Sequence, residues 1–236
     1  MTGSRLAILG YHKVGGPAPG GSAWYHVPQP VFDAQLGQLH RDGWRFVSAE
    51  SVIKALTGEE RLPPQAALLT FDDGYRSLIE YAVPVLSEYR CPAVVFVPTD
   101  HVGGDNAFEG GGEREPREPL CDWEELSRLE EAGVAVQSHG ASHRPFSELS
   151  PAELRTELSG SKTAIEQRLG RPVRFLAYPH GDRGTDPHLT GDLLEQAGYE
   201  AACHCGGGPF DPWQADRFQL ERIAVGADTD LSTKLR

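Results

Sequence analysis

The stretch Ala67-Leu68-Leu69-Thr70-Phe71 runs directly into Asp72-Asp73-Gly74. Five residues suited to a buried strand end in two carboxylates and a glycine that permits a tight turn. Working outward, short apolar runs of the same kind recur at residues 6–10, 44–47, 93–97, 134–138, 173–177, 201–203 and 222–225. Segments of helical period separate them. Phe32, Leu36 and Leu39 mark one helical face, and Leu78, Ala82, Val85 and Leu86 another. Asp122-Trp123-Glu124-Glu125 reads as a capping box opening a helix through Leu126 and Leu129. Ser150-Pro151-Ala152-Glu153 is a stronger start signal, with a cap residue, proline at the first helical position and glutamate three after the cap. That helix carries Leu154, Leu158, Ile165 and Leu169 and stops at Gly170. Asp186-Pro187 opens another, with Leu189, Leu193, Leu194 and Ala197, closed by Gly198.

Strand–helix alternation repeated this often predicts an α/β fold with a parallel sheet. The count favours a distorted (β/α) barrel of about seven to eight strands over an open sheet. No internal repeat or linker divides the chain, so residues 1–236 read as one domain. Residues 103–119, rich in Gly and Glu, and residues 15–21, rich in Gly and Pro, read as surface loops.

The chain has 236 residues, 39% of them hydrophobic and 24% charged, an ordinary globular composition. Its net charge of −12 argues against binding a nucleic-acid backbone or an anionic membrane. The longest apolar runs are about five residues, too short to span a bilayer. The apolar stretch at residues 6–9 is too short for a signal-peptide core, which gives the expectation of a cytoplasmic protein. Four cysteines in a chain of this length do not form a disulfide framework. Cys203-His204-Cys205 lacks the second pair a zinc ribbon needs, so its thiols read as ordinary buried ones at a strand end.

The residues with chemistry to offer gather just beyond predicted strand ends: His12, Asp72 and Asp73, His139 and His143, and Pro179 with His180. In a barrel those ends share one face, which carries the active site. Two adjacent carboxylates leaving a buried strand repel each other and lose solvation, so something must compensate, and a divalent metal on one of them would. Taken alone, Asp-Asp-Gly is more often a solvated turn, and a single His-x-x-x-His is a weak signal. Together they offer two imidazoles and a carboxylate with open positions for water, the pattern of a catalytic metal site. His180 alone reads more readily as a surface histidine than as a ligand.

These residues resemble the NodB-homology polysaccharide deacetylases, carbohydrate esterase family 4. Thr70-Phe71-Asp72-Asp73-Gly74-Tyr75 matches the first motif and Ser138-His139-Gly140-Ala141-Ser142-His143-Arg144-Pro145 the second. Ala177-Tyr178-Pro179-His180-Gly181 stands where the third belongs, and the resemblance runs through most of residues 6–225. It implies a distorted (β/α) barrel, metal ligation by Asp73, His139 and His143, and Asp72 as catalytic base. The Tyr75 backbone N–H would help hold the oxyanion, with Tyr178, Pro179 and His180 on the substrate side. Two departures stand out. Ala177 occupies the place of an arginine that orients the base in many members, for which Arg222 is the expected replacement. The C-terminal segment lacks the usual acid histidine. Leu9-Gly10-Tyr11-His12-Lys13-Val14, however, resembles the N-terminal Tyr-His segment of the poly-N-acetylglucosamine deacetylase branch, which assigns the acid role to His12.

The reaction implied is metal-dependent removal of N-acetyl groups from an acetylated amino sugar or glycan, releasing acetate. Zinc is the first choice for this ligand set, with nickel, cobalt or iron also suited. The rival readings are a non-catalytic carbohydrate-binding protein on a decayed esterase fold, and hydrolysis of O-acetyl esters or other amides at the same metal. Oligomeric state is not legible in the sequence.

Overall fold

A computed structural model describes residues 4–16, 24–109 and 117–236 of the chain, so parts of both Gly-rich loops lie outside the described residues. In chain order the elements begin with β1 (Arg5–Tyr11), β2 (Lys13–Gly15), β3 (His26–Pro28), α1 (Gln29–Arg41), β4 (Arg45–Phe46), α2 (Ala49–Leu56) and β5 (Gln65–Asp72). A π turn at Leu78–Ala82 leads into α3 (Val83–Glu88), followed by β6 (Ala93–Val97), α4 (Trp123–Glu131) and β7 (Val134–Ser138). The chain closes with α5 (Pro151–Leu169), β8 (Phe175–Ala177), α6 (Pro187–Gln196), β9 (Ala201–Cys205), β10 (Leu220–Ala224) and α7 (Leu231–Lys234).

The strand that ends at Asp72 closes the barrel. β5 pairs with β1 in parallel from Gln65 opposite Arg5 to Phe71 opposite Tyr11. From β1 the sheet continues through β10, β9, β8, β7 and β6 back to β5, giving seven parallel strands, and β4 adds to the outside of β5. Alternation divides each strand between two environments. Leu6, Ile8, Leu68, Val94, Phe96, Phe175, Ala177, Cys203 and Leu220 pack together inside the barrel. Leu9, Leu69, Phe71, Val95, Val136 and Ile223 pack outward beneath the helices. Thr70 and Asp72 continue the parity of Leu68, and Arg222 that of Leu220. The parity that builds the interior therefore places these polar groups at the barrel's upper end.

The seam between β7 and β8 is short, with only Ser138 and Leu176 in register. Gln137 repairs it, its carboxamide oxygen accepting from Arg174 N and Phe175 N while its NH₂ donates to Pro172 O. Backbone groups left without a ladder partner are thus satisfied by a side chain. Both predicted capping boxes form, at Asp122/Glu125 and Ser150/Glu153, and Gly170 ends α5 at φ 64°.

Several expectations needed correction. The β2–β3 ribbon lies outside the expected elements because three-residue strands show no periodicity, and the eight-residue helix α2 is a further addition to them. Of residues 44–47 only Arg45–Phe46 form a strand, and it lies outside the closed barrel. Leu189 is exposed rather than part of the α6 core face. Cys203 is buried as expected, but Cys205, at the exposed end of β9, is not.

Candidate active site

Asp72 and Asp73 are both buried, yet their surroundings differ. Arg222 grips Asp72 in a fork: Nη1 donates to Oδ1 and Nη2 to Oδ2, each at 2.7 Å, and Nη1 also reaches Thr70 Oγ1 at 3.1 Å. The guanidinium lies over the Phe96 ring. Burial opposes the charge on Asp72, but the charge of Arg222 and its two hydrogen bonds outweigh it and hold this carboxyl well below its usual range.

Asp73 has no such partner. Neither of its oxygens accepts a hydrogen bond among the described residues. Burial, reinforced by the neighbouring Asp72 charge, pushes it up to about 7. Its Oδ1 faces two imidazole nitrogens, His143 Nε2 at 3.3 Å and His139 Nε2 at 3.8 Å. One donor atom from each of the three residues lies within 4.8 Å of the others. His139 Nδ1 sits 2.7 Å from Ala177 O, an acceptor, so Nδ1 carries the proton and Nε2 presents its lone pair to the cluster. Burial lowers His139 to about 3, keeping the ring neutral as a ligand must be. An orphaned buried carboxylate facing two imidazoles suits a divalent cation.

The local backbone is bent to reach this arrangement. Four non-glycine residues among those described have positive φ, and three, Asp73 (72°), His143 (60°) and His180 (55°), belong to these loops. Each such position costs on the order of 1–3 kcal/mol and persists only where its surroundings enforce it. Gly74, at φ 77°, is required, because a Cβ there would approach Val97 Cγ1 to 2.9 Å. The His139–His143 loop is braced by α5, a contribution the sequence reading missed. Buried Glu157 accepts from Ala141 N and Ser142 N, both at 2.7 Å, and from Ser142 Oγ at 3.1 Å. One turn on, Ser161 Oγ meets Ser138 Oγ at 2.8 Å. Gly140 lets the brace close, since a Cβ would come within 2.8 Å of Glu157 Oε1. The available signal was Glu157 and Ser161 spaced i, i+4 beside Leu158 on a helix whose other polar residues face outward.

His12 completes the opposite side. Its Nε2 lies 3.8 Å from Asp72 Oδ2, and its ring packs on Tyr25 and edge-on to Trp24. Its Nδ1 has no hydrogen-bond partner among the described residues, so packing rather than a hydrogen bond orients the ring. Next to it, buried Lys13 pairs with Glu118 at 2.5 Å and lies against the rings of Tyr25 and Tyr75. The segment bearing His12 is thereby pinned to the turn bearing Asp73.

The family model for polysaccharide deacetylase matches residues 59–202. The chain belongs to this family. Similar proteins include YxkH of Bacillus subtilis, 25% identical over 94% of this chain and 72% of the relative. Another is the poly-beta-1,6-N-acetyl-D-glucosamine N-deacetylase of Staphylococcus aureus, 24% identical over 66% of this chain and about half (54%) of that protein. Among solved structures, IcaB from Ammonifex degensii has a TM-score of 0.79 and 27% identity, covering 96% of this chain and 94% of its own. The deacetylase PplD of Streptococcus pyogenes shares the fold over both full chains, with a TM-score of 0.84 at 23% identity. Family membership supports deacetylation of an acetylated glycan.

Within this polysaccharide deacetylase, the third-motif segment divides. Ala177 contributes its carbonyl to His139, and the arginine beside Asp72 comes from β10 instead. Pro179 is buried in the turn, and the ring of exposed His180 lies 4.5 Å from that of His143, at the rim. Tyr178 departs from expectation: its side chain is buried, packs against Phe146 and donates to Phe218 O at 2.8 Å. Its place in the strand's parity turns it outward into the helical shell, away from the substrate side. Tyr75 follows Gly74 in the turn, with its own ring buried.

Proposed function

We propose that this chain hydrolyses N-acetyl groups of an amino-sugar glycan with a divalent cation held by Asp73, His139 and His143. What carries the reading is the contrast between two adjacent buried carboxylates, one matched by a buried arginine and the other facing two imidazoles with no hydrogen bond of its own. Zinc is the first choice, and nickel, cobalt or iron also suit two imidazoles and a carboxylate. When bound, the cation would polarise the amide carbonyl and make water more acidic.

The chain's own residues supply the proton transfers. Asp72, kept ionised and oriented by Arg222, accepts a proton from water as the water oxygen bonds to the carbonyl carbon. The Tyr75 backbone N–H serves the developing oxyanion. His12 gives a proton to the amide nitrogen, the C–N bond breaks, and acetate and a free amino sugar leave. Pairing with arginine weakens Asp72 as a base, but it secures an ionised carboxylate in one orientation.

The test is acetate release from soluble N-acetylated hexosamine oligomers, lost on chelation and restored by added metal. No release from any oligomer would overturn the reading. Metal uptake carries its own pH signature. In the metal-free protein Asp73 holds its proton up to about 7. Below that pH the cation must displace the proton, so affinity should fall as pH drops and uptake should release a proton. Calorimetric titration in buffers of different ionisation enthalpy reads this directly, and proton-free uptake at pH 6 would remove Asp73 from the ligand set.

Glu157→Ala should weaken metal binding by about 10–100-fold through loss of the loop brace. Competition with a chelating indicator measures the affinity, while the melting temperature of the metal-free variant monitors the fold. Unchanged affinity would reduce Glu157 to a packing role.

A further inference from the structure

Trp24 is one of three large apolar side chains left exposed among the described residues, with 59% of its surface open. The other two, Leu189 on α6 and Trp213 beside Gly58, have no described contact with the active-site residues. Trp24 stands one ring from His12, with centroids 6.1 Å apart, and His12 reaches to 3.8 Å from Asp72. Tyr25 supports it edge-on at 5.9 Å.

The indole is also seated from behind. A Cβ at Gly226 would collide with the Trp24 backbone oxygen and stand 3.2 Å from ring carbon Cε3. Gly226 is fixed in turn, with its carbonyl accepting from Gln35 Nε2 at 3.0 Å and its N–H donating to Thr229 Oγ1 at 2.8 Å. A large ring is therefore backed by protein and open to solvent beside the proton-transfer groups. Leaving that much apolar area wet forgoes about 25 cal/mol per Å². A flat apolar surface with one N–H at its edge complements a pyranose ring, which has an apolar C–H face and a hydroxyl-bearing rim.

We propose that Trp24 is the stacking platform for the pyranose ring that bears the reacting amide. The proposal rests on the reading of the site as an N-acetyl hydrolase. From the amide nitrogen beside His12, the attached sugar ring extends over the distance separating His12 from the indole. Trp24 thus acts in substrate selection, favouring acetamido sugars over acetylated molecules that present no such face.

The test compares holoenzyme kcat/KM on an N-acetylated hexosamine oligomer with that on trifluoroethyl acetate, an activated acetate with no ring to stack. In Trp24→Ala this ratio should fall about five- to tenfold, mainly through KM for the oligomer. Trp24→Phe should recover part of the loss, and Trp213→Ala should leave the ratio at the wild-type value. An unchanged ratio in Trp24→Ala, a fall carried by kcat with KM unchanged (which would make Trp24 only a support for His12), or an equal fall in Trp213→Ala would overturn the platform while leaving the hydrolase reading intact. A wild-type protein that releases no acetate from the oligomer would overturn the hydrolase reading, and the platform with it.

Discussion

Asp72→Asn should lower deacetylation turnover by about 10²–10⁴-fold while metal content stays near the wild-type value. The substitution keeps the shape of the side chain and removes its capacity to take a proton. It also disturbs Arg222, whose Nη1 and Nη2 each donate to one oxygen of Asp72. An amide offers one acceptor and turns its own NH₂ toward the second donor. The buried guanidinium then loses its counter-charge, which typically costs about 3–5 kcal/mol. Lower thermal stability should therefore accompany the lost activity. The two effects separate if turnover is measured well below the variant's melting temperature and metal content is determined on the same sample. Near-normal turnover in a folded, metal-loaded Asp72→Asn protein would exclude this carboxylate as proton acceptor.

The legible parts of the molecule were those that repeat or punctuate. β5 could be read because five apolar residues end abruptly in charge, and the starts of α4 and α5 because capping boxes are local chemistry. The site was legible for the same reason: Asp72, Asp73 and His139 fall at strand ends, His143 follows in the loop after β7, and a parallel barrel gathers those ends. Arg222 was half visible. Its distance from Asp72 along the chain says nothing of contact, but its parity with Leu220 does once both strands face one interior. Glu157 escaped because a buried carboxylate on an amphipathic helix resembles a surface one until its donors are found in a loop fifteen residues away. Tyr178 was assigned by its neighbours in the motif, whereas alternation along the strand sends adjacent side chains to opposite sides. Trp24 lies in a turn before a three-residue strand, where no periodicity distinguishes a seated aromatic from a loop residue.

His12→Ala should retain metal and fold but lose most deacetylation of N-acetylated sugars. An amine anion is a very poor leaving group, so amide hydrolysis needs a proton delivered to nitrogen as the C–N bond breaks. Imidazole suits the task because its ordinary pKa, about 6.5, lies near working pH. Outside the ligand cluster at the upper end of the barrel, His101 is engaged with Ser142 O at 3.2 Å, which leaves His12 and His180 to compare. His12 Nε2 lies 3.8 Å from Asp72 Oδ2, the proposed proton acceptor. His180 is exposed and packs against His143, on the ligand side of the cluster. The position of His12 depends on Tyr25, Trp24 and the neighbouring Lys13–Glu118 pair, none of which the substitution removes. The fold and metal should survive for that reason. An activated aryl acetate provides the discriminating comparison, because its phenolate departs without a proton. His12→Ala should therefore lose much less activity on the ester than on the amide. Equal loss on both substrates would make His12 a positioning residue, and no loss on either would transfer the acid role to His180.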